Sequence, residues 1–250
     1  TTDKEATVSF SHTFQNERVN AKIKLVKEDS ETGKTAQGDA TLEGAVYGLY
    51  AREDIVHPDG QTGVLYPAGT QIATLTTDTE GNAEIADLYL GKYYVKELTP
   101  PVGYLADPEE HDLECNDEGD LVQTVERTAT SLEDVIKQPF QVIKAANNGK
   151  TDADLLSGAG FTVYLKSSLT KKADGSYDFD SAKPVVIGDN GATEIFTDEK
   201  GYACSIPLPF GSYIVRETTT PHNYKPVDDF EVNITEHHPN EPQIWRVLLD

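Results

Sequence analysis

Two glutamates recur at the same place in a repeated strand pattern. In KYYVKEL (92–98), Tyr93, Val95 and Glu97 alternate onto one face; in SYIVRET (212–218), Tyr213, Val215 and Glu217 do the same. A single glutamate there would be read as a solvated strand end, because Glu is rarely carried fully inside without a partner. Recurrence in step with apolar side chains argues instead for an inward carboxyl in each copy. Two lysines behave alike: Lys27 follows Ile23 and Leu25 on one face of a strand, and Lys144 follows Val142. A buried lysine and glutamate can form an ion pair, which desolvation makes a weak source of stability. Chemistry beyond pairing needs a third group, an Asn or Asp ending an alternating run on the last strand. Strand parity offers Asp134 behind Leu132, Asp250 behind Leu248 and Asn16 behind Phe14, with Glu133 beside Asp134 blurring the register by one.

These residues are positioned by a repeat. Asp78, Gly81, Gly91, Tyr93, Val95, Glu97, Pro101 and Tyr104 return in the same order and spacing as Asp198, Gly201, Gly211, Tyr213, Val215, Glu217, Pro221 and Tyr224. Upstream, LEGAVYGLY (42–50) pairs with LSGAGFTVYL (156–165), and IKLVKED (23–29) with FQVIKAA (140–146). A repeat this long means duplicated domains and not a solenoid. Short alternating runs bounded by Gly, Pro, Asp and Asn predict strands, and no long stretch holds a helical period. The fold class expected is all-β: two tandem Greek-key sandwiches over about 17–137 and 138–250, with 1–16 a remnant strand of a preceding module or a linker.

The 250 residues carry 43 acidic against 21 basic side chains, a formal charge of -22. Such a charge repels phosphate backbones and anionic head groups, so nucleic acid and membrane surfaces are not expected partners. No apolar run is long enough to cross a bilayer, and the absence of any Met reads as an excised piece of a longer protein. Cys115 and Cys204 fall in different modules and are expected to pack as small hydrophobes, not to bridge.

The combination of IKLVKEDSETGK, LEGAVYGLY and TDTEGNAEIADLYLGKYYVKELTPPVGYLAD, with LSGAGFTVYL and FTDEKGYACSIPLPFGSYIVRETTTPHNY in the second copy, resembles the Cna B-type (SpaA-type) domains of Gram-positive adhesins and sortase-assembled pilins. The resemblance covers roughly residues 17 to 250 and implies an Ig-like, prealbumin-like sandwich. It also implies an intramolecular isopeptide bond between a first-strand lysine and a last-strand Asn or Asp, promoted by a mid-strand glutamate. Carried over, Lys27 with Asp134 and Lys144 with Asp250 would be the bonded pairs, Glu97 and Glu217 the promoting acids, and Asn16 the acceptor of a preceding module. Burial suits this chemistry, since it favours a neutral amine and a protonated acid. Asp as acceptor loses water, Asn loses ammonia, and neither gives turnover. The second module departs from the pattern in having AAN after its lysine where the first has ED.

The expected function is therefore structural: a stalk, spacer or pilus-shaft segment, extracellular and wall-anchored, with adjacent modules of its own chain as partners, and no enzyme or cofactor. The competing reading is an adhesin module that binds a host matrix protein or glycan through long loops such as 51–67 or 166–183. His237 and His238 lie in a Pro-flanked acidic loop and are read as a solvated turn, so no metal site is assigned. NDEGD (116–120) and DGSYDFD (174–180) lack the spacing of a helix-flanked calcium loop. In LYPAGT (65–70), Ala68 stands where a polymerising pilin's linking lysine would be.

Overall fold

The protein is described from a computed structural model covering residues 17–119, 121–146 and 154–249. The first module contains β1 (Asn20–Asp29), β2 (Val46–Ala51), β3 (Ile55–Val56), β4 (Val64–Tyr66), β5 (Gln71–Thr76), β6 (Asn82–Leu88), β7 (Gly91–Thr99), β8 (Glu110–Cys115) and β9 (Thr124–Glu133). The second contains β10 (Lys137–Gln138), β11 (Phe140–Ala146), β12 (Gly160–Leu165), β13 (Thr170–Lys171), β14 (Tyr177–Asp178), β15 (Glu194–Phe196), β16 (Tyr202–Cys204), β17 (Leu208–Pro209), β18 (Gly211–Thr219), β19 (Phe230–Ile234) and β20 (Gln243–Leu249).

Each module packs a three-stranded sheet on a four-stranded one. The sheets run β6-β1-β9 and β5-β2-β7-β8 in the first module, and β16-β11-β20 and β15-β12-β18-β19 in the second. In β1, Ala21, Ile23, Leu25, Lys27 and Asp29 turn inward while Lys22, Lys24, Val26 and Glu28 face outward, the alternation of a strand covered on one side. Ile23 and Leu25 meet Tyr47, Leu49, Tyr93 and Val95 from the facing sheet to form the core. Phe140, Val142, Phe161, Val163, Tyr213 and Val215 do the same in the second copy. Cys115 lies in the first core and Cys204 is exposed; both are free thiols.

First and last strands lie side by side and parallel. β1 pairs β9 over ten positions, from Asn20↔Thr124 to Asp29↔Glu133, with Lys27 opposite Ser131. β11 pairs β20 likewise, with Lys144 opposite Val247. The turn before β6 fixes the lysine strand from its other edge. Asp78 Oδ1 accepts hydrogen bonds from the N–H groups of Glu80 and Asn82, and Gly81, at φ +78°, offers its carbonyl to the Lys27 N–H at 2.7 Å. A Cβ on Gly81 would stand 2.4 Å from the Lys27 carbonyl oxygen, so the position needs glycine both for its φ and for its closeness. Asp198 and Gly201 repeat the arrangement around Lys144.

The modules meet in a joint with its own small core. Ala40, Leu42, Tyr104 and Val135 are buried together, with Phe210 of the second module packed against them. The Asp39 N–H donates to the Phe210 carbonyl at 2.8 Å, and the Ser212 N–H donates to Asp39 Oδ2 at 3.0 Å. Ile136 and Phe210 extend the seam, Ile136 N–H donating to Gly103 O and Phe210 N–H to Ile136 O, each at 2.8 Å. Lys137 pairs with Glu31 across the same seam.

Candidate functional site

Lys27 lies at the bottom of the first module. Its side chain is fully buried, with Nζ 3.8 Å from the centre of the Tyr104 ring and 2.9 Å from Glu133 Oε2. The second contact is a buried ion pair, close in distance although its alignment is not that of a well-directed hydrogen bond. Glu133 is held by its other oxygen: Tyr47 donates its hydroxyl to Oε1 at 2.7 Å, and Ser131 Oγ lies 3.1 Å from the same atom.

Glu97 completes the set from the facing sheet. Its Oε2 accepts the Asp107 N–H at 2.7 Å, whereas its Oε1 is buried with no hydrogen-bond donor. Burial pushes the Glu97 carboxyl up to about 7, the Asp107 N–H opposing and the neighbouring charge of Glu133 reinforcing the rise. Raised this far, the Glu97 carboxyl can hold a proton near neutral pH. Burial raises the Tyr47 hydroxyl far above its ordinary value, so it stays a donor.

A polar chain links this site to water. Ser131 Oγ donates to Asp107 Oδ2 at 2.7 Å, and His111 Nε2 meets the same oxygen at 2.7 Å. Burial would raise the Asp107 carboxyl, but the Glu109 N–H, Ser131 and His111 outweigh it and hold the group below its usual range. The chain opens on a cleft of about 540 Å³ lined by Leu105, Asp107, His111, Leu132, Glu133 and Asp134.

Strand parity had placed Asp134 against Lys27. The structure puts Glu133 there instead: Asp134 is exposed and accepts a hydrogen bond from Ser30 Oγ at 2.5 Å. The cause is an inverted pattern at the end of β9, where Leu132 faces solvent at 61 % exposure while Ser131 and Glu133 turn inward at 0 % and 3 %. Lys27 and Glu97 are brought together; Asn16 lies outside the described residues. Tyr47, Asp107 and Ser131 are not singled out from the sequence, and Tyr104 only as a repeat position and not as part of the site. The alternation Val125, Ala129, Ser131, all buried, is the signal that would have carried the inward face on to Glu133.

In the second module, Lys144 Nζ donates to Glu217 Oε2 at 2.6 Å, both side chains fully buried, and the Val227 N–H donates to the same oxygen at 2.9 Å. Burial lowers the Lys144 ammonium, partly offset by Glu217. Asp250 lies outside the described residues; β20 is paired as far as Leu249 opposite Ala146. Among the described residues no three His, Cys, Asp or Glu side chains cluster as a metal site, and no helix is long and apolar enough to cross a membrane.

Comparison with known proteins gives the lineage of this architecture. The SpaA family, a prealbumin-like fold domain, matches twice, over residues 21–129 and 140–244. No curated protein matches. Among solved structures, the Bacillus anthracis TIE protein superposes with a TM-score of 0.60 at 21 % identity, over 94 % of this chain and 34 % of that one. A streptococcal ancillary pilin aligns at 20 % identity and a TM-score of 0.35, over 94 % of this chain and 64 % of its own. A minor pilin of Streptococcus agalactiae aligns at 16 % identity and a TM-score of 0.38, over 91 % and 94 %. The chain thus spans about a third of the first of these proteins and just under two thirds of the second.

Proposed function

Since the chain belongs to the SpaA family of prealbumin-like domains, which it contains in two copies, we propose that it is a load-bearing segment of an extracellular stalk or pilus, with an amide bond joining Lys27 to Glu133. The observation that carries this reading is the Lys27 amine 2.9 Å from a buried carboxyl on the adjacent parallel strand, beside a second carboxyl that burial pushes up to about 7. An ion pair alone explains this arrangement poorly. It would leave two buried carboxyls, Glu97 and Glu133, beside one cation, with Glu97 Oε1 lacking a donor, a cost of several kcal/mol for buried charge. Condensation removes the charge on both Lys27 and Glu133, and the water formed has the adjoining cleft as its way out.

The reaction occurs once and balances internally. Lys27 begins as an ammonium and ends as an amide N–H; the two protons it loses finish on the Glu133 oxygen that departs as water, relayed by Glu97, which ends as it began. The mechanical reason for the bond is position. β1 and β9 are the first and last strands, and hydrogen bonds worth about 1 kcal/mol net each would otherwise carry the pull between them.

Intact-mass measurement of the folded protein tests the proposal. One bond removes the mass of one water, and Glu97→Ala restores it. Loss of a second water would assign the Lys144 to Asp250 bond as well; a parent of full calculated mass ends the cross-link reading and leaves the fold and family untouched.

A further inference from the structure

The two oxygens of the Glu133 carboxyl are not equivalent. Oε2 lies 2.9 Å from Lys27 Nζ, while Oε1 accepts the Tyr47 hydroxyl at 2.7 Å, and Glu97 neighbours the same carboxyl. Ser131, the other hydroxyl near Oε1, has one proton to give, and its 2.7 Å contact to Asp107 is shorter than its 3.1 Å contact to Glu133. Tyr47 is therefore the committed donor to Oε1. We infer that Tyr47 is a catalytic residue of the bond-forming step: its hydroxyl stabilises negative charge on Oε1 and so selects Oε2 as the oxygen that leaves. This rests on the reading that the Lys27 to Glu133 bond forms.

The step follows from the geometry. The lone pair of the neutral Lys27 amine adds to the Glu133 carboxyl carbon, and the carbonyl electrons move onto Oε1, where the Tyr47 hydroxyl receives them. Before the addition the Lys27 ammonium has passed one proton to Oε2; after it, Glu97 gives its proton to the same oxygen and takes one from the nitrogen, the C–Oε2 bond breaks to release water, and the Oε1 electrons return to make the amide carbonyl. Water leaves from the side of Glu97. A donor fixed in place before reaction and excluded from water is the arrangement that most lowers the barrier of acyl chemistry.

The second module serves as an internal comparison. Tyr47 is the cross-strand partner of Glu97, and Phe161 is the cross-strand partner of Glu217. Val247 stands opposite Lys144 where Ser131 stands opposite Lys27, and the Val227 N–H holds Glu217 as the Asp107 N–H holds Glu97. The second copy thus keeps the lysine, the glutamate and the backbone donor but has Phe161 and Val247 where the first has the hydroxyl-bearing Tyr47 and Ser131. Phe161 is fully buried, so the fold accommodates a phenylalanine at this place.

The test is the rate of water loss after refolding protein recovered unreacted from inclusion bodies, followed by intact mass, with far-UV circular dichroism reporting folding separately. Tyr47→Phe is expected to fold and to lose its water about a hundredfold more slowly than the parent. An equal rate in a folded variant overturns the role of Tyr47, while a parent that loses no water overturns the underlying bond instead. Should Tyr47→Phe not fold, fluorotyrosines of graded acidity placed at 47 decide: a rate that changes with phenol acidity supports the inference, and a flat series overturns it.

Discussion

Lys144 Nζ and Glu217 Oε2 are 2.6 Å apart with no part of either side chain exposed, the most enclosed ion pair among the described residues. Removing one member strands the other. Glu217→Ala is expected to lose about 3–5 kcal/mol, whereas the double replacement Lys144→Met with Glu217→Leu recovers most of that loss or exceeds the parent. Guanidinium unfolding of the two variants and the parent measures both.

The raised Glu97 carboxyl sets a pH limit on bond formation. The relay needs Glu97 with its proton, and that proton is lost as pH rises through about 7. The refolding-coupled rate of water loss should hold steady below pH 7 and fall about tenfold per unit above it.

Stability of the unreacted protein carries opposing terms. Glu97, with its folded value raised, contributes stability present below the ordinary carboxylate range and lost as pH rises through about 7. In Asp29 and Asp107 burial raises the carboxyl, but hydrogen bonds from backbone N–H groups and neighbouring side chains outweigh it; these lowered groups contribute stability present above that range and lost as pH falls. Glu97→Gln should therefore flatten the alkaline side of the melting-temperature profile while leaving the acid side in place.

Gly81→Ala combines a left-handed φ of +78° with a Cβ 2.4 Å from the Lys27 carbonyl oxygen. It is expected to cost more than about 1–2 kcal/mol and to slow cross-linking by displacing the lysine strand. Denaturant unfolding and timed mass spectra read the two effects separately.

At the joint, Phe210→Ala with Asp39→Ala removes the apolar plug and the carboxylate that holds the Ser212 N–H. The parent should tumble as one body and the variant as two, seen as separate alignment tensors for the two modules in residual dipolar couplings.

The sandwich was legible because its inward residues are apolar at every second place: Ile23 and Leu25, Tyr93 and Val95, Tyr213 and Val215. The turns were legible for a related reason, since Asp78 with Gly81 and Asp198 with Gly201 are residue types the local backbone demands. The inward carboxyl opposite the lysine was placed one residue late, at Asp134 and not Glu133, because β9 reverses the rule at its end, exposing Leu132 and burying Ser131 and Glu133. An inward polar residue is stable only with partners from distant strands, here Tyr47 and Lys27, and a linear pattern does not show who those partners are. Tyr47 was hidden in the opposite way: an aromatic at a core position gives no hint that its hydroxyl has a task.

The parallel pairing of β1 with β9 has one more consequence. A ring closed between Lys27 and Glu133 contains every loop of the first module, including the exposed residues between β3 and β4. A protease that cuts an open chain there would leave its halves held together only by folding. Cutting the ring once opens it without dividing the molecule, because the path from Lys27 across the amide to Glu133 never passes through the severed peptide. Two cuts would then be needed to release even a fragment of the loop, and none within the ring would detach what lies beyond it.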